Sequence, residues 1–186
     1  MENSKIQWTD HTFNPWWGCS KISPGCKHCY AEKWADERFH LNVWGAGAER
    51  RVASETMWAK PTKWNATAAK AGKRARVFCA SMADVFEDYK GPNQGEVQEA
   101  RKRLMRIIED TPHLDWLLLT KRPENAARMV PKSWGTKWPS NAWAGCTVED
   151  REHAEARLPH LLSLPSLVQF VSYEPALEWV DFSPWI

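Results

Sequence analysis

The clearest alternation of apolar and polar positions lies in the second half of the chain. Val77-Phe-Cys-Ala-Ser is a short apolar run that reads as a strand. Residues 95–109 follow with Val97, Ala100, Leu104, Ile107 and Ile108 on one helical face. Asp115-Trp-Leu-Leu-Leu-Thr is unbroken enough to predict a strand buried on both faces. Pro123 suits the first turn of a helix reaching about Val130. Asn141-Ala-Trp-Ala-Gly-Cys-Thr is a third strand. Thr147, with Asp150 three residues on, resembles a capping box for a helix through Arg157 that Pro159 should kink or end. Leu167-Val-Gln-Phe-Val-Ser is the fourth strand, and residues 181–186 trail off. Strand and helix in alternation predict an α/β fold, a mostly parallel sheet with outer helices.

The first half is less regular. Residues 6–18 alternate loosely around Pro15 and allow one short strand, and residues 30–38 take a helical period through Tyr30, Ala31, Trp34, Ala35 and Arg38. Residues 42–73 are rich in Gly, Trp and Lys, with short helices expected near 54–58 and 65–70. At 186 residues one substantial core suffices, and a single domain spanning 1–186 is expected, with βα units over about 76–186.

In parallel α/β folds the chemistry gathers where strands end. Those ends supply Ser81 and Asp84, then Thr120, Lys121 and Arg122, then Thr147 and Glu149, then Ser172 and Glu174. Each of these residue types also caps helices, so the set of four ends weighs more than any member.

Composition changes the picture at one point above all. Three of the five cysteines, Cys19, Cys26 and Cys29, fall in residues 14–30 with spacing C-x6-C-x2-C, on a loop punctuated by Gly18, Pro24 and Gly25. Three readings stand. The thiolates hold three irons of a [4Fe–4S] cluster whose fourth iron binds S-adenosylmethionine and drives radical chemistry. Or they form a Cys3His zinc site with His28 or His40, although His28 lies between two ligands and reaches the same ion poorly. Or they are free thiols. Cys79 and Cys146 sit in apolar runs as small buried hydrophobes.

A net charge of +2 neither demands nor excludes a polyanionic partner. No signal-type apolar segment follows Met1 and no run of about 18 apolar residues occurs, so a cytoplasmic protein without membrane contact is expected. Thirteen tryptophans are many for this length. They read as core and rim packing, or as a stacking surface for bases where cations interleave, as over residues 58–76.

The run Thr12-Phe-Asn-Pro-Trp-Trp-Gly-Cys, then Ser23-Pro-Gly-Cys-Lys-His-Cys-Tyr-Ala, resembles the signature of a phage-associated family of unknown function. That family carries a three-cysteine motif and is regarded as radical S-adenosylmethionine-like. The likeness continues through residues 78–86, Leu117-Leu-Leu-Thr-Lys-Arg-Pro-Glu, residues 143–149 and Val171-Ser-Tyr-Glu-Pro. It implies a partial (β/α) barrel of the radical SAM type. A [4Fe–4S] cluster on Cys19, Cys26 and Cys29 would lie near the first strand's end, although the superfamily's usual spacing is C-x3-C-x2-C. It implies S-adenosylmethionine bound after the second strand at Ser81 and Asp84, with Arg122, Thr147, Glu149 and Glu174 placed by order alone. It also implies a reductase or other electron donor and a host-cell cytoplasmic location. Relatives run into a further strand, so this chain is expected to lack the last one. A nucleic acid or nucleotide substrate is a further expectation. The alternative is a zinc-stabilised nucleic-acid-binding module without catalysis.

Overall fold

A computed structural model describes residues 4–185 of the chain. The sheet is assembled from β1 (His11–Thr12), β4 (Ala75–Cys79), β5 (Leu114–Thr120), β6 (Ala142–Thr147) and β7 (Gln169–Ser172), side by side in that order and all parallel. β2 (Trp16–Trp17) and β3 (Arg51–Val52) form a separate antiparallel ribbon, Trp16 opposite Val52. The strands succeed one another without the reversal that marks a doubly wound sheet. β1 and β7 lie at the two ends of the order.

Helices fill the crossovers. α1 (Tyr30–Phe39), α2 (Glu55–Trp58) and α3 (Lys60–Ala71) lie between β1 and β4 in the chain, α4 (Gln94–Asp110) between β4 and β5, α5 (Pro123–Met129) between β5 and β6, and α6 (Arg151–Leu162) between β6 and β7. α4 shows why these segments coil as they do. Val97, Ala100, Arg101, Leu104, Met105 and Ile108 recur at three and four and are its buried face. β5 is buried at every position except Leu119, as its unbroken apolar run predicts for a central parallel strand.

Several expectations need correction. The proposed capping box is not one: Thr147 ends β6, and Asp150 alone caps α6, its carboxylate accepting from the His153 N–H at 2.8 Å. α6 also runs through Pro159 to Leu162. A proline this close to a helix end removes one N–H from a single remaining turn, and the Ser163 N–H still closes that turn onto the Pro159 carbonyl at 3.1 Å. The helix expected over 65–70 is the longer α3, which Gly72 stops at φ +62°.

Trp58 and Trp64 are 3% and 2% exposed, so residues 58–76 offer no stacking surface there. Trp16, Trp116, Trp134 and Trp138 are also core, around Phe13, Phe86, Leu104 and Leu118. A smaller second cluster of Ala31, Ala35, Val43 and Met82, with Trp17 and Trp44 packed on it, lies under the cysteine loop. Among the described residues no helix is long and apolar enough to cross a membrane.

Candidate functional site

The strand ends do collect their polar residues on one side, and the cysteine loop spans them. The loop leaves β2 at Gly18, whose φ of +111° suits glycine. A Cβ there would meet the Val43 carbonyl oxygen at 2.2 Å and Arg50 Cδ at 2.8 Å. The Gly18 N–H donates to the Met82 carbonyl at 2.9 Å, which ties the loop to the end of β4. Asn14 strengthens that tie, its side-chain oxygen accepting from the Met82 N–H (2.9 Å) and its amide donating to Ser81 Oγ (3.1 Å). A short 3-10 turn, Pro24–Cys26, then carries the chain to Cys29 at the N-cap of α1.

All three loop cysteines are half-buried, whereas Cys79 and Cys146 are fully enclosed. Their acidities differ accordingly. Burial, with the nearby charge of Asp84, pushes the Cys19 thiol up to about 12 in the metal-free protein, and Arg122 pulls the other way. At Cys26 burial is outweighed by hydrogen bonds from the backbone at Ile22 and Ser23, by the Ser23 hydroxyl and by the charge of Lys121, and its thiol lies below the ordinary value. Burial alone pushes Cys79 up, and burial above all pushes Cys146 up to about 12.

Of the six residues read as cofactor-binding, three belong to two buried ion pairs, Asp84 with Arg122 and Glu149 with Arg157, and a fourth, Thr147, meets the second pair through its carbonyl. Asp84 accepts from Thr120 Oγ1 (2.7 Å), the Lys121 N–H (3.2 Å) and Arg122 Nη1 (2.9 Å). Arg122 Nη2 donates to the Ser20 carbonyl at 2.7 Å, and Nη1 lies 3.7 Å from Cys19 Sγ. On the other side Glu149, 0% exposed, accepts from Arg157 at 2.7 and 3.3 Å, and the Thr147 carbonyl takes a bond from the same guanidinium at 2.8 Å. Burial would raise the Glu149 carboxyl, but Arg157, Ser23 and Lys121 hold it below the usual range. Gly25 passes so close that a Cβ would lie 3.0 Å from Glu149 Cδ. Asp84 and Arg122 thus support the Cys19 part of the loop and Glu149 the Cys26 part. Ser81 is half-buried and its carbonyl accepts from Tyr30 Oη at 3.0 Å, while Glu174 stands exposed beyond β7.

Three buried charged side chains at the candidate site escape sequence reading. Arg50, Glu87 and Arg157 are buried, and each belongs to a charge pair at this end of the sheet. Glu87 stands three residues after Asp84, so following the polar cluster beyond the strand end would have reached it. Arg50 and Arg157 carry no such signal. A cleft of about 430 Å³ opens beside the loop, with Ser20, Glu87, Asp88, Tyr89, Arg122 and Asn125 among its lining residues.

Three cysteines on one loop, with polar groups from successive parallel strands beneath it, define an α/β protein whose candidate centre is at the carboxyl end of its sheet. Among the described residues no three or more His, Cys, Asp or Glu side chains form a group that could hold a metal ion. The chain belongs to the family described as a protein of unknown function (DUF5131), whose model matches residues 3–186. Neither the search of curated proteins nor that of solved structures returned a match.

Proposed function

We propose that the protein is an iron–sulfur protein that holds a [4Fe–4S] cluster through Cys19, Cys26 and Cys29 and uses S-adenosylmethionine for radical chemistry on a nucleotide or nucleic acid. The observation that carries the reading is the separation of the five cysteines: three half-buried on one loop over the strand ends, two sealed in strands. Thiolates at three corners of a four-iron cluster need not converge on one atom, so the donor set suits a cluster better than a single ion. The cluster, with its fourth iron left open, would supply the electron that cleaves the sulfonium cofactor.

The chain's own residues then have separate tasks. Asp84 and Arg122 hold the loop at Cys19, and Glu149 with Arg157 holds it near Cys26. Lys121, whose ammonium is 3.5 Å from Glu149, and Glu174 at the rim are left to meet the charged groups of the cofactor. The uninterrupted parallel strand order is compatible with a partial (β/α) barrel wall and to that extent supports the radical S-adenosylmethionine reading of the fold.

Anaerobic reconstitution with iron and sulfide tests the proposal. A brown protein absorbing at about 400 nm is expected, and Cys19→Ala, Cys26→Ala or Cys29→Ala each abolishes iron uptake. Cys79→Ala and Cys146→Ala retain iron and lose only packing. Colourless protein with stoichiometric zinc would overturn the proposal, and loss of iron from Cys79→Ala would overturn the ligand set.

A further inference from the structure

The three loop cysteines are not held alike. Around Cys19 two buried arginines meet. Arg50, 1% exposed, donates through Nη1 to the carbonyls of Val43 (2.8 Å), Gly45 (2.9 Å) and Ala48 (3.0 Å), and through Nη2 to Ser20 Oγ (3.0 Å) and Glu87 (3.0 Å). Its guanidinium also lies over the Tyr89 ring at 4.4 Å. Arg122 approaches the same serine from the other side and takes its carbonyl at 2.7 Å, with its own Nη2 3.9 Å from Glu87. Glu87 therefore faces both arginines, and Ser20 is gripped at its hydroxyl by one and at its backbone by the other. The strap that Arg50 organises returns one more bond, from the Gly45 N–H to the Cys19 carbonyl at 2.9 Å.

Among the described residues no two buried arginines meet at the other thiols; the buried Glu149–Arg157 pair reaches the loop beside Cys26, at Ser23 and Gly25. Cys26 has the Ser23 hydroxyl at 3.6 Å and its own turn. The stretch between Cys19 and Cys29 is tied to α1 by the surface pair Lys21–Glu32 at 2.6 Å, with Lys21 47% exposed. An ion pair so exposed restrains little.

We propose that Arg50 and Arg122, joined through Glu87, are positioning residues that preset Cys19 before any group is bound and leave Cys26 and Cys29 to close upon it. The proposal rests on the reading of Cys19 as a cluster ligand, but the preset itself is a property of the metal-free protein and is measured there. Alkylation of the full-length metal-free chain by iodoacetamide, followed thiol by thiol by peptide mass spectrometry, reads it directly. Once each rate is corrected for its thiolate fraction, Cys26 and Cys29 react first and Cys19 about tenfold more slowly, because its half-buried thiol sits in a held loop and meets reagent chiefly through local opening. Arg50→Met speeds Cys19 about tenfold and leaves Cys79 and Cys146 protected, which a general loss of structure would not do. If Arg50→Met exposes Cys79 and Cys146 as well, Ser20→Ala decides: it removes only the hydroxyl that Arg50 grips, and about a threefold rise confined to Cys19 supports the preset.

Cys19 reacting as fast as Cys26 in the unaltered protein overturns the proposal. So does an unchanged Cys19 rate in Arg50→Met that keeps its fold, or in Ser20→Ala. Reconstitution separates the two readings. Should the unaltered chain take up no iron while the labelling pattern holds, the cluster reading fails and the clamp stands. Should iron bind normally in Arg50→Met, the clamp is not what readies the site.

Discussion

The two ends of the parallel sheet handle charge in opposite ways. At the amino end, polar side chains serve turns or stay near the surface. The Asn141 amide holds the carbonyls of Ile108 (2.8 Å) and Thr111 (3.1 Å) at the close of α4, Trp116 Nε1 donates to Thr111 Oγ1 (2.9 Å), and the Arg74–Asp115 pair keeps its arginine 43% exposed. At the carboxyl end, Arg50–Glu87, Arg122–Asp84 and Arg157–Glu149 put three ion pairs almost wholly out of water. Buried pairs are often replaceable by apolar residues without loss, so stability does not account for concentrating them there. A need for fixed loop geometry over the strand ends does.

The contrast can be broken by substitution. Arg157→Met leaves Glu149 enclosed without its guanidinium, and urea unfolding should show a loss of about 3–5 kcal/mol. Arg74→Met at the opposite end should lose less, about 1–2 kcal/mol by the same measurement, because it leaves Asp115 enclosed but removes a guanidinium that is already 43% exposed. Equal losses would erase the distinction between the ends.

A smaller effect sharpens it through pH. Cys146 titrates near 12 in the folded chain against an ordinary value of 9.0, and Cys79 is raised too. The folded state then keeps protons that the unfolded chain releases. The contribution of these thiols is therefore intact below about pH 9 and falls above it by about 1.4 kcal/mol per pH unit for each thiol. Cys146→Ala should flatten the pH 9–11 limb of the stability curve. Cys26→Ala should not, since its thiol is shifted the other way. The smallest effect concerns a local polar role at the carboxyl end: Asp150→Ala removes the α6 cap and should cost only about 1 kcal/mol in thermal or urea unfolding.

The strands β4 to β7 and their polar ends were readable because each apolar run gives way abruptly to Asp84, Thr120, Thr147 or Ser172 within a few residues. The cysteine loop and α1 were readable from glycine, proline and period alone. The β2–β3 ribbon was not, since two-residue strands leave no periodicity and pair residues 16 and 52 across a stretch of mixed composition. Arg157 lies on a helix, where an arginine ordinarily faces water; only the tertiary placement of Glu149 beneath it turns it inward. Arg50 is hidden for a similar reason: three of its partners are backbone carbonyls that any sequence would possess, and its side-chain partners Ser20 and Glu87 lie 30 and 37 residues away. That Asp84 and Arg122 bond to each other was not legible, because the sequence places both at strand ends without showing the pair.

Gly18 has a consequence for how this chain can vary over evolutionary time. On the exposed face of α1 a new side chain would project into water, so a lineage could sample residues there one at a time. Position 18 admits no such drift: every other amino acid would bring a Cβ within 2.2 Å of the Val43 carbonyl and against Arg50. The first cysteine thus inherits its location from a neighbour with no side chain, and exchanging that neighbour would require the strap and the arginine to change in the same step.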